Sequence, residues 1–137
     1  MDEATKEEVR QRAAGRCEYC RLPEAHVITP FQTEHVIAKQ HRGSDTLGNL
    51  AYACLRCNLH KGPNLTGIDP KTKKLTKLFN PRRHLWSKHF RWDGAVLVGK
   101  TAVGRTTVDV LAMNDPARVA LRQELLEQGL LLPEERE

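Results

Sequence analysis

Apolar residues occur along the chain in short stretches bounded by glycine, proline or charged residues, a pattern that predicts several short elements of an α+β protein. The first element is expected to be a helix near 6–14. Thr5 and Glu8 have the spacing of a capping box, in which Thr5 is the N-cap, and Gly15 follows as a stop signal.

Two short strands are predicted at 27–29 and 33–38, connected as a loose β-hairpin around a proline. The segment 39–48 is rich in glycine and polar residues and is therefore expected to be a loop. A short helix should follow and end at about Lys61, where a Gly-Pro pair stops it.

The second half of the chain contains stronger turn signals. They predict a turn at 69–72, a helical turn over 81–88, a hairpin with Asp93-Gly94 between 90–92 and 95–98, and a helix from Asp115-Pro116 to Gly129. Ala117, Leu121 and Leu125 are expected to share one face of that helix, and the tail from Leu130 is expected to be frayed. Residues 102–112 fit a strand or a helix.

The length of 137 residues limits the chain to one domain, or to one small module with an appendage. We expect a module over 1–64 and an α+β extension, a basic hairpin with helices, over 65–137 packed on it. The start of the sequence has no signal-peptide pattern, and no apolar run is long enough to span a bilayer. A cytoplasmic location is therefore expected, and four cysteines there favour a metal site over disulfides.

The charge of the chain is distributed unevenly. Residues 56–91 contain ten lysines and arginines but one acidic residue, a net charge of +9, whereas the rest of the chain has a net charge of −4. A solvated loop is the ordinary explanation of such a run. Because the basic segment begins inside a cysteine pair, it favours a polyanionic partner, most simply nucleic acid.

The cysteines form two Cys-x-x-Cys pairs, Cys17/Cys20 and Cys54/Cys57, separated by 33 residues. Two such pairs are typical of a structural Zn²⁺ site, because the two-residue gap lets both sulfurs of a pair reach one ion. Four thiolates leave no coordination position for water, so this zinc is expected to stabilise the fold and to take no part in chemistry.

Between and after these pairs the sequence contains Glu34-His35-Val36-Ile37, a glycine-containing loop, Gly48-Asn49-Leu50, and Asn58 directly after the last cysteine, followed by Lys61-Gly62. In this order the motifs resemble those of the HNH endonucleases, over roughly residues 15–64. The resemblance implies a ββα-metal fold stapled by the zinc site, and hydrolysis of phosphodiester bonds in DNA.

The resemblance and the chemistry together predict a role for each of these side chains. His35 is expected to be the general base that deprotonates water. Glu34, where most of the family has Asp, and Asn58 are expected to bind a catalytic Mg²⁺ or Mn²⁺ through oxygen atoms. Asn49 is included in the catalytic set as the residue that braces the loop and orients His35.

Other polar and aromatic residues have weaker assignments. His60 lies about 200° around the helix from Asn58, so it is expected to face solvent or DNA, and His41 is expected to be an ordinary exposed histidine or a phosphate contact. Four cations are candidates for phosphate contacts: Lys61, Arg82, Arg83 and Arg91. Trp86 and Trp92 suit core packing better than stacking on bases.

The leading hypothesis is therefore a metal-dependent endonuclease acting on DNA. The main alternative is a noncatalytic zinc module that binds nucleic acid, although such a module has no need of Glu34, His35, Asn49 and Asn58 together. A nuclease acting on RNA is a third hypothesis, with no RNA-recognition signature to support it. No obligate protein partner is inferred.

Overall fold

The chain from Met1 to Asn64 folds around two short antiparallel strands and the helix that follows them, and Asn80–Arg83 belongs to the same compact unit. The computed structural model describes residues 1–131. Strand β1 (Gln32–His35) pairs with β2 (Leu50–Ala53), and His35 lies opposite Leu50. Helix α2 (Leu55–Lys61) begins directly after Cys54 and ends at Gly62, as predicted. This β–β–α order confirms the expected α+β class and suits a ββα-metal module.

The predicted hairpin of 27–29 with 33–38 is wrong, because β1 pairs with β2 instead. All four residues of β2 are buried and mostly apolar, so this strand provides an interior surface. Ile28, in contrast, is fully exposed and has nothing to bury its side chain against. Strands form where one face can be covered, and the 27–29 segment lacks such a face.

Helix α1 (Glu3–Arg12) begins earlier than predicted. Its N-cap is Asp2, whose carboxylate accepts a hydrogen bond of 2.8 Å from the amide of Thr5, so Thr5 lies within the first turn. The Arg12 guanidinium donates to the carbonyls of Leu47 (3.0 Å) and Leu50 (2.6 Å), which fixes the end of α1 to the start of β2.

The second compact unit takes Leu65–Phe79 and the chain from His84 onward. It contains two antiparallel hairpins: β3 (Thr66–Ile68) with β4 (Leu75–Lys77), and β5 (Phe90–Asp93) with β6 (Val96–Gly99). Its helices are α3 (Trp86–His89), α4 (Ala102–Val110) and α5 (Pro116–Glu127). The hairpin signal at Asp93-Gly94 and the turn at 69–72 are thus confirmed, whereas the helical turn over 81–88 is reduced to α3.

The ambiguous segment 102–112 is mostly helical, although it is rich in β-branched residues. The hydroxyls of Thr106 and Thr107 donate to carbonyls one turn earlier, each at 2.7 Å, so both polar groups are satisfied within the helix. Helix α4 also approaches its neighbours closely: a Cβ on Gly104 would lie 2.0 Å from the carbonyl oxygen of His89. Glycine is therefore required for this packing.

The buried face of α5 differs from the one predicted. Of the three expected residues only Leu125 is buried, while Arg118 and Arg122 face the interior. Arg118 donates to the carbonyl of Leu111 (2.6 Å) and Arg122 to the carbonyl of Ala95 (2.8 Å). These carbonyls lie at a helix end and a turn, where main-chain partners are lacking, so buried arginines satisfy them.

The tryptophans support the core-packing prediction. Trp86 is buried, and its ring lies 5.1 Å from that of Phe90 and 5.9 Å from that of Trp92. Of the tail that was predicted to fray from Leu130, Leu131 is buried, and residues 132–137 lie outside the described residues. Within residues 1–131 no helix combines the length and the apolar character needed to cross a bilayer.

Candidate active site and metal centre

The sulfur atoms of Cys17, Cys20, Cys54 and Cys57 all lie within 4.8 Å of one another, and all four residues are buried. The sulfurs of Cys20 and Cys54 are 3.7 Å apart. A tetrahedral Zn²⁺ with Zn–S bonds of about 2.3 Å has sulfur–sulfur separations of about 3.8 Å. The donor set therefore fits a single metal ion with a closed shell.

Each cysteine pair is shaped by its local backbone. The amide of Cys20 donates to the sulfur of Cys17 at 3.4 Å, and the amide of Cys57 donates to the sulfur of Cys54 at the same distance. The second pair is the first turn of α2, because Cys54 is the N-cap of that helix. The start of α2 and the second cysteine pair thus coincide in the chain.

Burial and mutual hydrogen bonds shift the pKa values of the clustered cysteines. Burial raises the pKa of the Cys17 and Cys57 thiols well above the ordinary value, while a hydrogen bond with Cys17 lowers the pKa of Cys54. Burial alone disfavours the thiolates that bind metal, and a divalent cation supplies the charge that stabilises them.

The two residues inside the first cysteine pair connect the cluster to the strands. The Glu18 carboxylate accepts from the amide of Tyr52 at 2.9 Å and pairs with Arg82. The Tyr19 hydroxyl donates to the Glu34 carboxylate. Arg82 had been predicted to contact phosphate, but its guanidinium is largely buried in this ion pair, which corrects that assignment.

One cleft of about 270 Å³ collects three of the predicted catalytic residues. Glu34 and His35 reach it from the end of β1, and Asn58 reaches it from α2. The other lining residues are Thr33, Ala38, Lys39 and Gly62. These three residues therefore line one surface depression, and the Glu34 carboxylate itself is nearly inaccessible to solvent.

His35 has a partner that the sequence analysis missed. Its Nε2 lies 2.7 Å from a carboxylate oxygen of Asp45, whose other oxygen accepts from Lys39 at 3.2 Å. These two hydrogen bonds lower the pKa of Asp45, that with His35 most strongly. In the sequence, Asp45 is one of several polar residues of a loop, and nothing in that pattern indicates its hydrogen bond with His35.

Asn49 binds the loop backbone, an arrangement that suits the bracing role expected of it. Its side-chain oxygen accepts from the amide of Ile37 (2.9 Å), and its nitrogen donates to the carbonyls of Ile37 (3.0 Å) and Ser44 (2.8 Å). Gly43 allows this close loop, because a Cβ there would lie 1.6 Å from the Ile37 carbonyl oxygen. Asn49 thereby braces the backbone that carries His35 and Asp45.

Lys61 also differs from its prediction as a phosphate contact. It is 2% exposed, and its ammonium donates to the carbonyl of Val36 at 2.9 Å and lies 3.4 Å from a carboxylate oxygen of Glu34. Burial raises the pKa of Glu34, and the charge of Lys61 opposes that shift. The Glu34 carboxylate is therefore held between Lys61 and Tyr19.

The other residues predicted to contact metal or DNA are exposed and are not among the residues that line the cleft. His60 is in the last turn of α2 and His41 in a 3₁₀ turn (Lys39–His41). Arg83 belongs to the first unit and Arg91 lies on β5 of the second unit. Because Asn58 lines the cleft and His60 does not, Asn58 is the better candidate for a metal ligand.

Comparison with known proteins agrees with this geometry. Residues 17–64 match the family model described as HNH endonuclease, so the resemblance seen in the sequence is confirmed. The chain is 28% identical over 114 residues to the Septu protein PtuB of Bacillus thuringiensis, an alignment that covers 82% of this chain and 42% of that protein. It therefore spans less than half of that relative. No solved structure matches the chain. An HNH domain implies a nuclease or nucleic-acid-binding function.

The buried Glu34–Lys61 pair leads to a testable expectation for stability. Lys61→Met should lower the free energy of unfolding by about 3–5 kcal/mol, because it leaves a buried carboxylate without its cation. The double variant Glu34→Gln/Lys61→Met should recover part of this loss, since no unpaired charge remains.

Denaturant unfolding followed by circular dichroism measures both changes. Lys6→Met is the control, because Lys6 makes only an exposed pair with Glu3 and should change stability by less than about 0.5 kcal/mol. Equal effects of the Lys61 and Lys6 substitutions would contradict the inward position of the Lys61 ammonium.

Proposed function

We propose that this protein is a metal-dependent endonuclease that hydrolyses phosphodiester bonds of DNA. The observation that supports the proposal is the meeting of Glu34, His35 and Asn58 in one cleft, inside the segment that matches the HNH family. We assign this activity to a module of residues 1–64 and regard 65–137 as its extension.

His35 is the proposed general base, with Asp45 as its positioning partner. Hydrogen bonding of Nε2 to the Asp45 carboxylate favours the neutral tautomer that carries its proton on Nε2. The lone pair of Nδ1 is then the group that accepts a proton from the attacking water. The Asp45 carboxylate stabilises the imidazolium that results and does not itself take up the proton.

Glu34 and Asn58 are the proposed ligands of a catalytic Mg²⁺ or Mn²⁺, since both residues line the cleft and both side chains contain oxygen atoms that suit a hard cation. When bound, such an ion neutralises charge on the scissile phosphate and stabilises the leaving oxygen. A carboxylate has about four lone-pair sites, so hydrogen bonds from Tyr19 and Lys61 leave Glu34 with acceptor capacity. These two donors also fix its orientation beforehand.

Arg83 and Arg91 remain proposed phosphate contacts because both are exposed. Lys61 and Arg82 are withdrawn from that role, since each is committed to a carboxylate inside the first unit. The noncatalytic alternative keeps the cysteine cluster and the exposed cations but gives no reason for the composition of the cleft.

The activity depends most directly on His35. His35→Ala should lower the rate of plasmid cleavage by about 10²–10⁴-fold, the usual contribution of a general base, while DNA binding and metal content stay unchanged. His41→Ala is the matched control, because that histidine is exposed and does not line the cleft. Normal cleavage by the His35 variant would refute the proposed mechanism.

The identity of the second cation ligand is tested by two variants of α2. Asn58→Ala should raise the Mg²⁺ concentration needed for half-maximal cleavage by about 10–100-fold, because an oxygen donor is lost. His60→Ala, two residues further along the same helix, should stay near wild type. A Mg²⁺ titration measures both, and the reverse order of effects would make His60 the ligand.

The four cysteines are proposed to bind one structural Zn²⁺ per chain. Cys54→Ser should remove the ion and unfold the first unit, because zinc binding contributes on the order of 10 kcal/mol to the folding of such sites. Elemental analysis combined with circular dichroism provides the measurement, and re-addition of zinc after chelation should restore the wild-type protein only. A well-folded native protein without zinc would contradict this assignment.

A further inference from the structure

The β3–β4 hairpin, residues 66–77, has two faces of different character. Gly67 faces α4, since a Cβ there would lie 2.5 Å from the Val110 side chain. Ile68 and Leu75 are paired across the two strands on the opposite face. They are 51% and 72% exposed, so this apolar pair contributes little to the core.

The turn of the hairpin is held in one conformation by Asp69. This residue is fully buried, and its carboxylate accepts from the amide of Lys71 (3.1 Å) and the hydroxyl of Thr72 (2.9 Å). Arg105 of α4 binds both carboxylate oxygens, at 3.1 and 2.9 Å. The Arg105 guanidinium holds the pKa of Asp69 well below its usual range. The single acidic residue of the hairpin is thus ionised, buried and neutralised.

In the described part of the chain, the positive charges of the hairpin have no such partner. Its lysines are all exposed: Lys71, Lys73, Lys74 and Lys77. Among residues 1–131 no ion pair neutralises any of them. An ordered turn therefore presents four unneutralised cations next to an exposed apolar pair.

We propose that the β3–β4 hairpin is a DNA-binding ribbon that enters the major groove. This proposal deepens the proposed function, on which the choice of DNA as the polyanion rests. The four lysines match the phosphates that border the groove, and the Ile68–Leu75 pair faces the bases, where thymine methyl groups are the apolar contact. An ordinary solvated loop accounts for the lysines, but it gives no reason for an ordered turn with a paired apolar face.

The shape of the hairpin distinguishes DNA from duplex RNA. The major groove of B-form DNA is wide enough for a two-stranded ribbon, whereas that of A-form RNA is deep and too narrow for side chains to read. The ribbon is therefore expected to bind DNA with its apolar face and to make only charge contacts with RNA.

The first experiment tests the charges on the full chain with duplex DNA in buffer that contains no Mg²⁺, no Mn²⁺ and no chelator, so that cleavage does not interfere and the cysteine cluster is left undisturbed. Lys71→Gln/Lys74→Gln should flatten the slope of log affinity against log salt by about 2, because each phosphate contact contributes about 0.9. Lys6→Gln/Lys100→Gln removes the same charge from exposed lysines outside the hairpin and should leave the slope unchanged. Equal slopes for the two double variants would overturn the proposal.

The second experiment tests the apolar pair. Ile68→Ser/Leu75→Ser should weaken DNA binding by about tenfold without a change in salt slope, since two apolar base contacts are lost and no charge is removed. Leu59→Ser/Leu85→Ser, at residues 67% and 66% exposed, is the matched control and should bind normally. Replacing thymine by uracil in the DNA should weaken the wild type but leave the hairpin variant unchanged.

A measurement on the wild type avoids dependence on variant folding. Bound DNA should protect the four hairpin lysines from acetylation, while Lys6 and Lys100 stay reactive. Unprotected hairpin lysines, or hairpin variants that bind DNA like wild type, would assign the surface to another partner such as an acidic protein and overturn the proposal.

A cleavage assay with Mg²⁺ separates the hypothesis of nuclease activity from the hypothesis of a DNA-binding hairpin. DNA binding through the hairpin without cleavage refutes only the nuclease, and cleavage with unprotected lysines refutes only the ribbon.

Discussion

Four buried sulfurs within 4.8 Å of one another are the constraint on which the first unit depends. They join segments separated by 33 residues, and both segments carry site residues directly beside the cysteines. Tyr19, inside the first pair, holds Glu34, and Asn58 follows Cys57 on the helix whose N-cap is Cys54. The cysteine cluster, which could hold a metal ion, is therefore linked to two residues of the neighbouring cleft, directly in sequence to Asn58 and through Tyr19 to Glu34.

The buried charges of the first unit form a second layer of organisation. Glu34 and Lys61 are both nearly inaccessible to solvent, and a pair in this position has a desolvation cost that its attraction only partly offsets. Lys61 also binds the carbonyls of His35 and Val36, so one ammonium fixes the end of β1 and the carboxylate beside it. Such a pair is poorly explained by stability alone and is consistent with the orientation of a ligand.

The sequence predicts which residues lie close together where a short, fixed spacing along the chain restricts their positions, as in the two Cys-x-x-Cys pairs. The four cysteines cluster as their two pairs indicated, and Glu34, His35 and Asn58 line one cleft. Asp45 was missed because its contact with His35 depends on the path of a loop that Asn49 and Gly43 determine. The prediction of the strand that pairs with β1 was wrong. The local pattern of apolar and polar residues does not show that β2 is buried and available for pairing.

Charge counted along a sequence does not distinguish free cations from those used inside the fold. Lys61 and Arg82 belong to the basic segment that favoured a polyanionic partner, yet each neutralises a carboxylate of the first unit. The β3–β4 hairpin has the opposite arrangement, because Arg105 neutralises its single acid and leaves the lysines exposed. A count of charges along the sequence therefore does not locate the exposed positive surface, which depends on which cations are paired with carboxylates inside the fold.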